Sequence, residues 1–140
     1  MLEALLNILL GGFLASVAWF VLSGILYLNP FIGRIYKRSE DSPALRKWPH
    51  LAPHFFLTYI NQLYQSLIAA ALFSFMKPVL PDEILFRGLL FGVVLLAVKT
   101  VPHITDSWLQ TTYRTKLLVI ELVNGMILGF AVSYVLAAVI

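Results

Sequence analysis

Four long apolar blocks, separated by short polar stretches, account for nearly the whole chain. The blocks cover residues 2–28, 54–76, 83–101 and 116–140. A helix needs about 20 residues to cross the roughly 30 Å hydrocarbon core of a bilayer, and each block approaches or exceeds that length. We therefore predict an all-α fold, an integral membrane bundle of four transmembrane helices that forms a single domain over residues 1–140.

Prolines and polar stretches mark the predicted helix ends. Asn29-Pro30 is expected to end the first helix, because proline lacks a backbone donor and restricts the residue before it. Pro102 is expected to end the third helix for the same reason. The stretch 102–115 is too polar to span a membrane, and Trp108 is typical of a membrane interface. We predict a loop there, with room for a short interfacial helix between the third and fourth helices.

Composition agrees with a membrane protein. Hydrophobic residues make up 60% of the chain and charged residues 12%, whereas soluble domains are about half apolar and a quarter charged. The chain has no cysteine, which excludes disulfides and cysteine-based metal sites. The ten basic residues are distributed among the membrane-flanking segments instead of forming one basic face, so nucleic-acid binding is not predicted.

The distribution of lysine and arginine predicts an orientation. Loop 29–53 contains five of them and the region around loop 102–115 contains three, whereas the opposite side contains two. Cytoplasmic loops of membrane proteins carry an excess of Lys and Arg. We therefore predict that loops 29–53 and 102–115 are cytoplasmic and that both termini lie outside, in a plasma membrane.

Short motifs resemble a known family. The first helix closes on Tyr27 and Pro30, followed by Phe31, Gly33 and Arg34, and residues 117–129 read LLVIELVNGMILG. These segments resemble the small four-helix bacterial membrane proteins catalogued as domain of unknown function 1761. This chain departs from them at Leu26, where the family tends to have tryptophan. The resemblance implies a four-helix fold in a bacterial inner membrane and no known activity.

Polar residues inside the helices are predicted to form one layer in the cytoplasmic half of the bundle. In the second helix the polar residues recur at i, i+3, i+4 and i+7, so they share a face. These residues are Thr58, Asn61, Gln62 and Gln65. Glu121 and Asn124 are three apart on the last helix, and Glu121 lies about 9 Å past Thr115 at 1.5 Å per residue. We predict a ligand site formed by Tyr27, Asn61, Gln62, Gln65, Lys99, His103, Glu121 and Asn124.

Glu121 is the most informative residue of this layer. An ionised carboxylate within a bilayer costs at least about 2.5 kcal/mol, so Glu121 should face the bundle interior, be paired or be protonated. Its candidate partners are Lys99, Gln62 and Tyr27. One interpretation is a ligand or proton site with Glu121 as the titrating group. The other is that the polar residues only join the helices, at about 0.6 kcal/mol per interhelical hydrogen bond.

Histidine and small residues suggest two further features. His54 and His103 are expected at a similar membrane level, with Asp106 three residues beyond His103. This arrangement would suit a metal or haem site, but interfacial histidines bound to lipid headgroups explain the spacing as well. We predict no metal site, no cofactor and no catalytic residue. Small residues four apart allow helices to approach closely, either within one chain or between chains. The predicted packing positions are Gly88, Gly92, Gly125, Gly129 and Ser133.

Three functions follow as expectations. The leading one is a non-enzymatic bundle that binds or transports a small or lipid-like ligand through the polar layer. The second is an accessory or scaffold subunit, in which the small-residue faces dock another copy or a partner membrane protein. The third is a small lipid-modifying membrane enzyme that uses Glu121 with a histidine as acid and base.

Overall fold

Within the part of the chain that the computed structural model describes, residues 2–37, 49–112 and 114–140, the structure is helical and contains no strand. The all-α prediction is therefore confirmed for these residues. A 3₁₀ turn, Lys77–Val79, follows the third helix, and a π-helical segment, Leu96–Thr100, joins the fourth to the fifth. The α-helices are α1 (Leu2–Tyr27), α2 (Pro30–Lys37), α3 (Leu51–Met76), α4 (Ile84–Leu95), α5 (Val101–Gln110) and α6 (Thr115–Val139).

Three helical stretches are long and apolar enough to cross a membrane. They are Leu2–Tyr27, Ile84–Gln110 and Thr115–Val139. Helix α3 has a comparable length of 26 residues, but its amide side chains lower its mean hydropathy. The structure thus has the features of a membrane protein, with three candidate spans among the described residues where the sequence predicts four.

The Asn29-Pro30 dipeptide ends one helix and begins the next. The Asn29 side-chain oxygen accepts a hydrogen bond from the backbone N–H of Phe31 at 2.9 Å, which caps α2, and Pro30 occupies the first helical position, where no donor is needed. Predicted loop 29–53 therefore contains a helix, and its residues 38–48 lie outside the described part. Helix α3 begins at Leu51 instead of 54, because proline is tolerated in a first helical turn.

The third predicted helix does not end near residue 101. Helix α4 continues through the π-helical segment into α5, which ends at Gln110. The backbone N–H of Val101 donates to the Leu96 carbonyl, five residues earlier, and this wider turn lies directly before Pro102. A π turn adds a residue to the helix, so the proline ring fits and the helix continues without a break. Most of predicted loop 102–115 is consequently an extension of this helix.

Successive long helices run antiparallel, and α1 lies between α3 and α6, with α4 on the other side of α6. The core, which includes Ala15, Ala70 and Leu136, lies toward the end that holds both described chain termini. Phe73 and Phe91 meet there edge to face, with ring centroids 4.9 Å apart. We call this the terminal end of the bundle. The opposite end, with Tyr27, α2 and α5, is the loop end.

The predicted small residues differ in their surroundings. A Cβ atom added to Gly92 would overlap the Phe130 ring, and one added to Gly88 would overlap the Tyr134 ring. Gly125 lies against Thr100, and the Ser133 hydroxyl donates to the Gly88 carbonyl at 2.5 Å. These four positions therefore join α6 to the α4–α5 helix within one chain. A Cβ added to Gly129 would meet no described atom within 4 Å.

Candidate ligand site around Glu121

Glu121 receives a hydrogen bond on each carboxylate oxygen. The Tyr27 hydroxyl, on the last residue of α1, donates to Oε2 at 2.9 Å. The Tyr36 hydroxyl, on α2, donates to Oε1. An ionised carboxylate accepts hydrogen bonds on both oxygens, so the two contacts are compatible with a negative charge on Glu121. The site thus holds Glu121 in a geometry suited to a negative charge.

The rings of Tyr27 and Tyr36 contact each other beside the carboxylate. Their centroids are 5.9 Å apart and their planes meet at 70°, an edge-to-face arrangement. The rings come from different elements, because Tyr27 ends the long helix α1 whereas Tyr36 belongs to the short helix α2. The carboxylate therefore lies at the loop end of the bundle, where α1, α2 and α6 meet.

Glu121 forms no ion pair with any basic side chain of the described residues, where the salt bridge found is Arg87 with Asp82. Lys99, a predicted partner, places its Nζ 3.4 Å from the centroid of the Trp19 ring, a cation–π contact. Gln62, another predicted partner, donates instead to the Ser23 hydroxyl at 3.2 Å. Of the three candidates, Tyr27 is the one that bonds Glu121 in the structure.

The remaining predicted site residues are dispersed. Asn124 is buried near Tyr27, and its Nδ2 has no hydrogen-bond partner among the described residues. Gln65 is half-buried, whereas Asn61 on α3 and His103 on α5 are exposed. The structure therefore brings Tyr27, Glu121 and Asn124 together and separates the others from them.

Tyr36 is the residue of this site that the sequence analysis missed. Its helix falls in a stretch that was expected to be a loop, so no helical position was assigned to it. The Asn29-Pro30 pair carries a usable signal, because an N-cap residue followed by proline is a typical helix start.

Within residues 2–37, 49–112 and 114–140, no group of three or more His, Cys, Asp or Glu side chains could hold a metal ion.

Comparison of the chain with protein-family models, with curated proteins and with solved structures finds no match. The class of the protein is therefore inferred from its own features. The described chain is helical and has three stretches long and apolar enough to cross a membrane, which are the features of a membrane protein.

The hydrogen bond from Tyr27 should contribute to stability. We expect Tyr27→Phe to lower the free energy of unfolding by about 1.5 kcal/mol, the lower value for a hydrogen bond to a charged group. Tyr134→Phe is the matched control, because it keeps a ring that packs against Gly88. Unfolding in mixed detergent micelles measures both variants. Equal stability of the two would show that the Tyr27–Glu121 bond contributes nothing.

Proposed function

We propose that the protein is a multi-pass membrane protein with four spanning helices that binds a small organic cation at Glu121. The observation that carries this proposal is a carboxylate at the loop end of a candidate span, bonded by two tyrosine hydroxyls and paired with no described basic side chain. The proposal keeps the expected small-ligand binding or transport bundle and specifies the charge of its ligand.

The charge of the site is the physical reason for a cationic ligand. Two phenol donors reduce the cost of removing the carboxylate from water, but they do not neutralise its charge. A proton or a bound cation would neutralise it. The faces of Tyr27 and Tyr36 would attract an organic cation further, because the face of an aromatic ring is electrostatically negative.

The fourth span of this proposal is α3. Two contacts align it with α1: the rings of Phe20 and Tyr59 are 5.4 Å apart, and Gly12 lies against Leu67. A helix of 26 residues that runs antiparallel beside a candidate span would cross the same thickness of membrane. The lysine and arginine distribution favours termini outside and a cytoplasmic loop end, in a bacterial inner membrane if the resemblance to the four-helix family holds.

Topology is testable separately. In this proposal both termini lie on the outer side, so reporter fusions at residue 140 and directly after Gln110, where α5 ends, should report opposite sides of the membrane. A cytoplasmic reporter at residue 140 would contradict the orientation. Reporters at the two positions on the same side would contradict the antiparallel pair formed by Ile84–Gln110 and α6.

Cation binding is tested with tetraphenylphosphonium, a lipophilic organic cation, on purified protein in detergent. We expect one cation bound per chain, with an affinity that falls as the pH is lowered, because protons compete with the cation for the same carboxylate. Equilibrium dialysis with labelled cation at several pH values measures this. Absence of binding, or binding with no dependence on pH, would contradict a carboxylate site.

A further inference from the structure

The outer face of α3 is exposed, and six of its residues form a line that we call the stripe; Phe56 and Ile60 continue the exposed surface on one side of it. Successive members are four, three, four, four and three residues apart, so they fall on one line along the helix. The inner face, with Gln62, Ser66 and Phe73, is buried. The stripe consists of Leu57, Asn61, Tyr64, Ile68, Leu72 and Phe75.

Asn61 is the one amide side chain of this stripe, and it lies far from both ends of the bundle along the helix axis. It falls between Tyr59, whose ring meets Phe20, and Leu67, which lies against Gly12. Phe20 and Gly12 bracket the middle of α1, which runs from Leu2 to Tyr27. If α3 spans the membrane, the exposed Asn61 amide would therefore face the hydrocarbon core, beyond the reach of lipid headgroups.

An amide in hydrocarbon needs a hydrogen-bond partner. Transfer of an amide from water to an apolar environment without one costs several kcal/mol, and the Asn61 side chain forms no hydrogen bond with the described residues. A lipid chain offers neither a donor nor an acceptor. The partner must therefore come from another polar group at the same depth.

We propose that a second copy of this chain packs against the α3 stripe and that the two Asn61 amides bond to each other. An amide is both donor and acceptor, so two identical amides related by a two-fold axis satisfy one another. Amide side chains hydrogen-bond across membrane helices, and a single asparagine in a seam between paired helices fixes register and oligomer state. The proposal rests on α3 being a membrane span.

Cysteine cross-linking tests the arrangement directly, because the chain contains no cysteine. Tyr64→Cys and Ile68→Cys place a single thiol on the stripe. Phe56→Cys is the control, because Phe56 is 64% exposed but lies roughly 80–120° around the axis of α3 from the two stripe positions. We expect oxidation in native membranes to give covalent dimers with the two stripe variants and not with the control. Equal cross-linking of all three, no cross-linking, or cross-linking to a different protein would overturn the proposal.

A second measurement isolates the amide. Asn61→Leu should lower the dimer association constant by at least about threefold, which corresponds to the roughly 0.6 kcal/mol of an average interhelical hydrogen bond, whereas Phe56→Leu should leave it unchanged. Single-molecule counting in vesicles over a range of protein-to-lipid ratios gives the constants. An unchanged constant in Asn61→Leu would overturn the role of the amide. Neither variant alters Glu121, so the result is independent of cation binding.

Discussion

Glu121→Gln is expected to lower the affinity for tetraphenylphosphonium about 30-fold or more. The substitution keeps the size and most of the hydrogen-bonding capacity of the side chain but removes its negative charge. Removing one partner of a buried charge pair costs about 2–5 kcal/mol, and about 2 kcal/mol corresponds to a 30-fold loss. The pH dependence of binding should disappear with the carboxylate. Equilibrium dialysis with the labelled cation measures both effects.

Glu3→Gln is the matched control. Glu3 is an exposed carboxylate in the first turn of α1, at the opposite end of the bundle from Glu121. The Glu3→Gln substitution removes the same charge from the chain without changing the site. If Glu3→Gln weakens binding as much as Glu121→Gln does, the cation responds to the net charge of the protein, and the proposed site is wrong.

Gly92→Ala is expected to lower the free energy of unfolding by about 1–3 kcal/mol, the usual range for overpacking a close contact. A Cβ at this position overlaps the Phe130 ring on α6, so either the ring would have to turn away or α4 and α6 would have to separate. Unfolding in mixed detergent micelles measures the loss.

Gly129→Ala provides the comparison for Gly92→Ala. Both substitutions add one methyl group to a glycine in a long helix, but the Cβ at Gly129 meets no described atom within 4 Å. We expect this variant to be at least as stable as the unsubstituted protein, by up to about 1 kcal/mol, because alanine loses less backbone entropy than glycine in a helix. If both variants lose the same stability, the close contact between α4 and α6 is not what makes glycine necessary at residue 92.

The sequence predicts the helical class well because apolar length alone decides it. Stretches of about 20 apolar residues favour membrane helices whatever their partners are. Helix ends are predicted less well because the effect of a proline depends on the turn before it. Pro30 separates two helices, whereas Pro102 lies inside a continuous one after a π-helical segment.

The site is predicted in part. Burial of a charge in a membrane identifies Glu121, and depth along the helices identifies Tyr27 as a partner. Periodicity groups Asn61 with Gln62 on one face of α3, yet the structure exposes the first and buries the second. Adjacent residues lie 100° apart on a helix, and in an apolar helix the sequence pattern does not tell which side meets protein and which meets lipid.

Lys99 shows why pairs of charges are difficult to assign from sequence. Its opposite charge and similar depth favour a contact with Glu121, but the Trp19 ring holds its ammonium group instead. A long flexible side chain can reach several neighbours, and the choice among them depends on helix rotation. Helix rotation is set by contacts between helices, which the spacing of polar residues does not determine.

Native mass spectrometry of protein released gently from membranes would show whether Glu121 holds a cationic ligand. The measurement reports the mass of the assembly and of any small molecule retained with it. We expect a retained small cation that is present with the unsubstituted protein and with Glu3→Gln but absent with Glu121→Gln. A ligand-free bundle, or a ligand retained equally by all three, would contradict this expectation.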